Sequence, residues 1–242
     1  MKNKLFFPKR IPEPTAMGKI ESEVFEKMSK ENYQRWILPL VDDLERFMDN
    51  KNRTILDIGS GPGLLVKEIA IRFKQSKVIG LDNSAVAVKL ARKNCIKQRN
   101  VSFVVGDATK LQFKSQSFDL VVCKDTLHHF PKVKTCIKEM LRVLKDGGTL
   151  YIQDLRRDLP HYLLKQAMPP DTVMKKLQYY SARAAYTKDE LKKILKELGV
   201  RKLNIQTKKV TPQMAKKYRK LNVDLTRLKQ SFITRYVATI KK

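Results

Sequence analysis

The sequence predicts an α/β protein: a doubly wound, mostly parallel seven-stranded sheet with helices before it and a helical insertion late in the chain. Three observations carry that prediction. Residues 53–63, RTILDIGSGPG, read as a buried strand that enters a glycine-rich turn and then a helix. Short apolar runs then alternate with helical patterns as far as residue 154. These runs also end, one after another, on or beside an acid: Asp57, Asp82, Asp107, Asp125 and Asp154.

Each element follows from its own pattern. Residues 1–18 hold Pro8, Pro12 and Pro14 without periodicity and are expected to form an extended arm; residues 19–242 are expected to form one domain. Ile20, Val24 and Met28 predict a helix over 20–30. Trp36, Leu40, Leu44 and Phe47 or Met48 predict a second over 32–48, kinked or restarted at Pro39. The first strand is 53–58, and Leu64, Leu65, Ile69, Ala70 and Phe73 mark a helix over 63–74. A second strand over 77–81 ends on Asp82, and Ser84 caps a helix running to 98. Strands over 101–105 and 118–123 follow, then a helix over 132–145 stopped by Asp146, Gly147 and Gly148. The fifth strand, 149–153, ends on Asp154.

Regularity breaks there. Residues 155–185 predict two short helices separated by Pro169 and Pro170. An insertion at the carboxyl end of a strand lies over the ligand crevice, so this segment is the expected lid. Thr187 and Glu190 form a capping box, and Gly199 ends that helix. A strand over 203–207, a Lys-rich helix over 211–226 and a final strand over 231–240 complete the count.

Composition narrows the function classes. The chain of 242 residues can bury a sizeable core. It has no apolar run of the roughly 18 residues that a membrane span needs, and its start lacks the apolar stretch of a secretory signal. Cys95, Cys123 and Cys136 are an odd number without metal-type spacing, which suits reduced thiols and a cytoplasmic location. With three histidines, no His-rich metal site is expected. The formal charge of +27 has two readings: a field that attracts nucleic acid or another anionic partner, or a Lys-rich surface without a partner. Residues 201–242 carry thirteen Lys and Arg against one acid, Asp224, which favours a partner.

The strand ends describe a site. Gly59, Gly61 and Gly63 permit positive φ and close approach of backbone to a ligand, and the following helix points free N–H groups into the same crevice. Their G-x-G-x-G spacing differs from the dinucleotide pattern, which disfavours a dehydrogenase. Asp57 places a carboxylate where a cationic ligand group would sit. Asp82 can accept both hydroxyls of a ribose, and Asp107 can accept from an exocyclic amine such as adenine N6. Together they describe a crevice for an adenosine with a polar, partly cationic extension.

LDIGSGPG, GLDNS, GDA, FDLVVCKDTLHHF and LKDGGTLYIQD resemble the successive motifs of class I S-adenosylmethionine-dependent methyltransferases, and within them the small-molecule group related to the ubiquinone/menaquinone enzymes. The resemblance covers residues 52–154 and extends loosely to the C-terminus. It implies the Rossmann-like methyltransferase fold and S-adenosyl-L-methionine as cofactor. It implies that Asp57, Gly59, Ser60, Gly61 and Gly63 surround the methionine part, with Asp57 near its ammonium. Asp82 would bind the ribose diol, Asn83 would flank the adenine, and Asp107 with the backbone of Ala108 would address the adenine edge. Lys124 stands where a backbone carbonyl meets the methionine amine; a lysine there departs from the small or polar residue of the pattern.

The acceptor is less legible. The resemblance implies methyl transfer to an oxygen, nitrogen or carbon of a small molecule. His128 and His129 are the candidate bases; one of them packing under the insertion is the alternative. Arg156 and Arg157 read either as ligands of an acidic acceptor or as a surface ion pair with Asp158. Tyr151, Tyr179, Tyr180 and Tyr186 either line an aromatic pocket or pack in the core. Two competing functions stay open: methylation of RNA or another anionic macromolecule, and cofactor binding without catalysis.

Overall fold

Short β-branched runs that must be covered on both faces dictate a central parallel sheet. The computed structural model describes residues 7, 9–13, 19–48, 52–159 and 171–242. In it β1 (Thr54–Ile58), β2 (Lys77–Asp82), β3 (Val101–Val105), β4 (Phe118–Lys124) and β5 (Leu144–Leu155) run parallel, with β6 (Lys202–Gln206) and β7 (Arg235–Lys241) beyond. The order is β3-β2-β1-β4-β5-β7-β6, and β7 lies antiparallel between β5 and β6. Strand order reverses between β1 and β4, and the crevice at their carboxyl ends is where such sheets bind ligands.

Period-two alternation sends the strand side chains into two cores. Ile55, Val78, Leu120, Val122 and Tyr151 face one side, and Leu56, Ile58, Val121, Cys123 and Ile152 the other. Helices α4 (Leu64–Arg72) and α5 (Ala85–Asn94) cover the first face, and α6 (Val133–Val143) covers the second. The Ser84 hydroxyl accepts from the Ala87 N–H at 3.3 Å to start α5, as its sequence position predicts.

The N-terminal region is α1 (Lys19–Glu31), α2 (Tyr33–Trp36) and α3 (Leu38–Leu44), then a turn of 3-10 helix over Glu45–Phe47. The predicted second helix is therefore in pieces: it breaks at Ile37, and Pro39 sits in the first turn of α3, where a missing N–H costs nothing. Late in the chain are α7 (Val173–Ala184), α8 (Lys188–Glu197), α9 (Pro212–Lys220) and α10 (Leu225–Ile233). The Thr187–Glu190 capping box is present at α8. The first predicted helix of the insertion, with Pro169 and Pro170, lies outside the described residues, as do Pro8 and Pro14 of the arm.

Several element boundaries differ from expectation: the helix predicted over 211–226 is two, α9 and α10, broken at 221–224. Residues 231–233 are helical, not the start of the last strand. Asp224 caps α10 by accepting from the Thr226 and Arg227 N–H groups at 2.8 and 3.2 Å, and Leu228 and Phe232 bury one helix face. The helix predicted to reach 145 ends at Val143, and β5 begins at Leu144. Asp146, Gly147 and Gly148 fill a register shift between β4 and β5, with Gly147 at φ +75°. Among the described residues no helix is long and apolar enough to cross a membrane.

Gly63 holds α4 against its neighbours. At φ +77° an added Cβ would stand 2.8 Å from the Ala91 Cβ and 2.9 Å from the Phe103 ring. Gly63→Ala is expected to cost about 2–3 kcal/mol and to lower Tm by roughly 5–10 °C in a thermal melt. An unchanged Tm would show that this contact relaxes freely.

Candidate active site

A cleft of about 1180 Å³ opens at the carboxyl ends of β1, β2 and β4. Asp57, Gly59, Ser60, Gly61, Asp82, Asn83, Asp107, Ala108, Lys124, His128 and His129 all line it. Gly63 is not among the lining residues: it packs α4 onto α5 and β3. The backbone explains why the other two glycines stand there. Gly59 has φ +72°, and a Cβ on it would collide with Thr126 at 2.1 Å; Gly61 has φ +51°.

Asp57 sits at the floor, 2% exposed, and its Oδ1 has no hydrogen-bond partner among the described residues. Burial pushes its carboxyl up to about 7; Lys124 opposes that rise, and Asp82 adds to it. A buried acceptor left without a donor is costly unless a ligand supplies one. Asp82 accepts from the Gly61 N–H at 2.8 Å and from the Ser84 N–H at 2.9 Å, so the glycine turn and the start of α5 are tied to the end of β2. Asp107 is exposed and accepts from the Thr109 N–H and hydroxyl, both at 2.7 Å, which keeps its carboxyl low.

The turn after β4 is built differently from expectation. Lys124 reaches Asp125 at 2.5 Å and lies 5.9 Å from the centre of the Trp36 ring. Asp125 adopts φ +48° and accepts from Arg235 at 2.7 and 3.1 Å. Burial alone would raise the Asp125 carboxyl, but Arg235 and Lys124 hold it well below the usual carboxylate range. The Arg235 guanidinium in turn lies 5.5 Å from the same Trp36 ring. Trp36, Asp125 and Arg235 thus form one polar–aromatic wall of the cleft, joining α2, the β4 end and β7. The Lys124 ammonium pairs with Asp125, and its carbonyl accepts from the Thr126 hydroxyl at 2.8 Å.

The two histidines lie in a short 3-10 turn, Leu127–His129. His128 is 2% exposed; its Nδ1 meets Asp154 at 2.6 Å and its backbone N–H donates to the other Asp154 oxygen at 3.2 Å. Burial opposes charge on this ring, but Asp154, with help from Glu13, raises its pKa above the ordinary value. His129 Nδ1 meets Glu13 at 2.6 Å. Glu13 comes from the N-terminal arm, which is pinned beside the cleft: Arg10 donates to the carbonyls of Ala184 and His128 at 2.6 and 2.8 Å, and the Ile11 N–H donates to the Arg183 carbonyl at 3.1 Å.

Several expected acceptor residues are elsewhere. Arg156 pairs with Asp158 at 2.6 Å, which is its surface ion-pair reading. Arg157 is 1% exposed and donates to Glu190 and to the carbonyls of Phe7 and Ala185, so it clamps the arm and α7 rather than an acceptor. Tyr151 is buried on Asp43 at 2.6 Å, Tyr186 lies under Arg10, and Tyr179 and Tyr180 pack with Arg183. None of the four lines the cleft. Its aromatic surface comes instead from Phe25, Trp36 and Phe130. The insertion does lie over the cleft, through Leu159 and through Met174, Leu177 and Ser181 of α7.

Comparison with known proteins decides the family. A family model described as "Methyltransferase domain" matches residues 49–209. The chain belongs to the methyltransferase domain family. It is 32% identical to a malonyl-[acyl-carrier protein] O-methyltransferase of Legionella pneumophila, over 44% of this chain and 37% of that protein. It is 29% identical to a ubiquinone biosynthesis O-methyltransferase of Coxiella burnetii, over 50% of this chain and 51% of that protein. The chain thus spans about half the length, or less, of these curated relatives. A SAM-dependent methyltransferase from Aquifex aeolicus shares the fold, with a TM-score of 0.63 and 15% identity over 93% of this chain and 97% of that one.

S-adenosyl-L-methionine is the cofactor of this methyltransferase class, and the site fits it. The unpartnered Asp57 oxygen suits the ammonium, and the Asp82 and Asp107 carboxylates suit the ribose and the adenine amine. The state of Asp57 sets a pH dependence. Its raised pKa makes the neutral form dominant in the free protein below about pH 7, whereas an ammonium binds the carboxylate. Cofactor affinity is expected to fall roughly eightfold from pH 7.5 to pH 6, and Asp57→Asn to flatten that slope; calorimetry at matched ionic strength checks both. A flat wild-type profile would remove Asp57 from the ammonium site.

Proposed function

We propose that the protein transfers a methyl group from S-adenosylmethionine to a small molecule held beneath α1, α2 and α7. The observation that carries this reading is the shape of the cleft. At about 1180 Å³ it exceeds the roughly 300–1,000 Å³ of a single-ligand pocket, so it has room for an acceptor beside the cofactor. We assign Asp57, Asp82 and Asp107 to a cofactor half, beside which Phe25 packs near Gly61, and Met28, Trp36, Leu159, Met174 and Leu177 to an acceptor half with a mainly apolar wall; all of them line the cleft. The relatives named for O-methylation of small or carrier-bound molecules support the same class.

When bound, the cofactor supplies an already activated methyl group on a sulfonium. The chain's own residues then align and enclose. Asp57 and the glycine turn fix the methionine part, and Asp82 fixes the ribose. The apolar wall excludes water and presses the acceptor toward the methyl group, where orientation alone can supply several kcal/mol. His128, His129 and Glu13 are among the polar groups that line the cleft, and they handle the acceptor's proton-bearing atom. Asp154 fixes the His128 ring, so that Nε2 is the nitrogen turned toward Glu13, 3.8 Å away.

The charge of +27 favours a second reading, in which the acceptor belongs to RNA. Transfer of tritium from methyl-labelled cofactor into a fractionated cell extract separates the readings. Label in the organic or small-molecule fraction is the expected result. Label confined to RNA supports the second reading, and no label in any fraction leaves cofactor binding without catalysis.

A further inference from the structure

We propose that Glu13, His128 and His129 form a binding site for a divalent first-row metal ion, Zn²⁺ foremost. Each offers one ligand atom, and the three atoms lie within 4.8 Å of one another. Count alone argued against such a site, because the third ligand is not a histidine near the pair but an acid from the N-terminal arm. Two imidazoles and one carboxylate are a donor set that zinc takes in open, reactive sites, with a remaining position left for a small molecule.

Four further observations point to a cation. His128 Nε2 is buried and has no hydrogen-bond partner among the described residues, yet faces Glu13 Oε1 at 3.8 Å. His129 Nδ1 stands 2.6 Å from the other Glu13 oxygen. Ligands bonded tetrahedrally at 2.0–2.2 Å sit about 3.3–3.6 Å apart; His128 Nε2 and Glu13 Oε1 stand close to that, whereas the 2.6 Å between His129 Nδ1 and Glu13 Oε2 is a hydrogen-bond distance that opens to admit the ion. The second ring nitrogen of His128 is held by buried Asp154 at 2.6 Å, the carboxylate–histidine arrangement that orients and strengthens a metal-bound imidazole. Lastly, Ser181 of α7 donates to Glu13 at 2.8 Å, so the carboxylate is itself positioned.

All three ligands line the cleft, so the open position faces the acceptor half. That role rests on the proposed methyl transfer; the metal site itself does not. With the ion bound, His128, His129 and Glu13 would serve as its ligands instead of as bases, and a hydroxyl placed on the ion would lose its proton to solvent more readily. Its oxygen would then form the new O–CH₃ bond as the S–CH₃ bond of the cofactor breaks, with no other reactant needed.

The test is calorimetric titration of the full-length, chelator-treated protein with Zn²⁺, and with Co²⁺ followed by visible absorption. One saturable equivalent is expected, with a Co²⁺ spectrum of low coordination number. Asp154→Asn should weaken it roughly 10–100-fold. Glu13→Gln, which keeps the side-chain shape, and His129→Ala should weaken it further. No saturable equivalent, or one that survives both Glu13→Gln and His129→Ala, overturns the site. S-adenosylmethionine affinity is measured on the same samples. Cofactor binding without Zn²⁺ binding refutes the metal site alone, and Zn²⁺ binding without cofactor binding refutes the methyltransferase reading alone.

Discussion

Asp82→Ala is expected to weaken S-adenosylmethionine binding by roughly 100-fold, about 3 kcal/mol. The substitution removes the acceptor proposed for both ribose hydroxyls. It also releases the Gly61 and Ser84 N–H groups that this carboxylate now holds at 2.8 and 2.9 Å, so the glycine turn loses its link to β2. The two effects separate with Asp82→Asn, whose amide oxygen can keep one backbone contact but accepts hydroxyls less strongly. Calorimetry should place this variant between wild type and alanine. Equal affinities for wild type and alanine would remove Asp82 from the cofactor site.

His128→Gln should have the largest effect on turnover. Loss of a positioned proton-handling group typically costs 10²–10⁴-fold, and a fall in kcat of about 100-fold or more is expected with the cofactor Kd within about twofold of wild type. Asp154→Asn should act through the ring and cost less, about 10–100-fold. It keeps an oxygen for the His128 Nδ1 but removes the charge that fixes the ring. Because both side chains are buried, cofactor affinity and thermal melts report whether each variant is folded. If kcat is unchanged in a folded His128→Gln protein, the histidine is packing, and the acceptor half works through other groups.

The cofactor half was legible because its signals are local. Asp57 and the glycines occupy one strand and one turn, and each later acid ends a strand that periodicity already marks. The sheet followed for the same reason, as did the Thr187–Glu190 capping box. The acceptor half was not, because it is assembled across the chain. Glu13, Trp36, Asp154 and Arg235 come from the arm, α2, β5 and β7. Trp36 read only as one member of an apolar stripe, and nothing in the spacing of Glu13 or Arg235 tied either to the cleft. Arg156 and Arg157 misled for a related reason. Adjacent residues of an extended segment point to opposite sides, and Arg157 turns inward to Glu190 while Arg156 stays with Asp158. The last helix was missed because residues 231–240 alternate well enough to read as strand, whereas the Asp224 cap and the Leu228–Phe232 pair hold its first part helical.

A crystal structure with S-adenosylhomocysteine bound tests the central claim most directly. The claim places its amino group within hydrogen-bond distance of Asp57, its ribose hydroxyls on Asp82 and its adenine amine on Asp107, with the sulfur facing His128 across the cleft. A ligand seated elsewhere, or one in this cleft that leaves Asp57 without a donor and Asp82 away from the ribose, would contradict it.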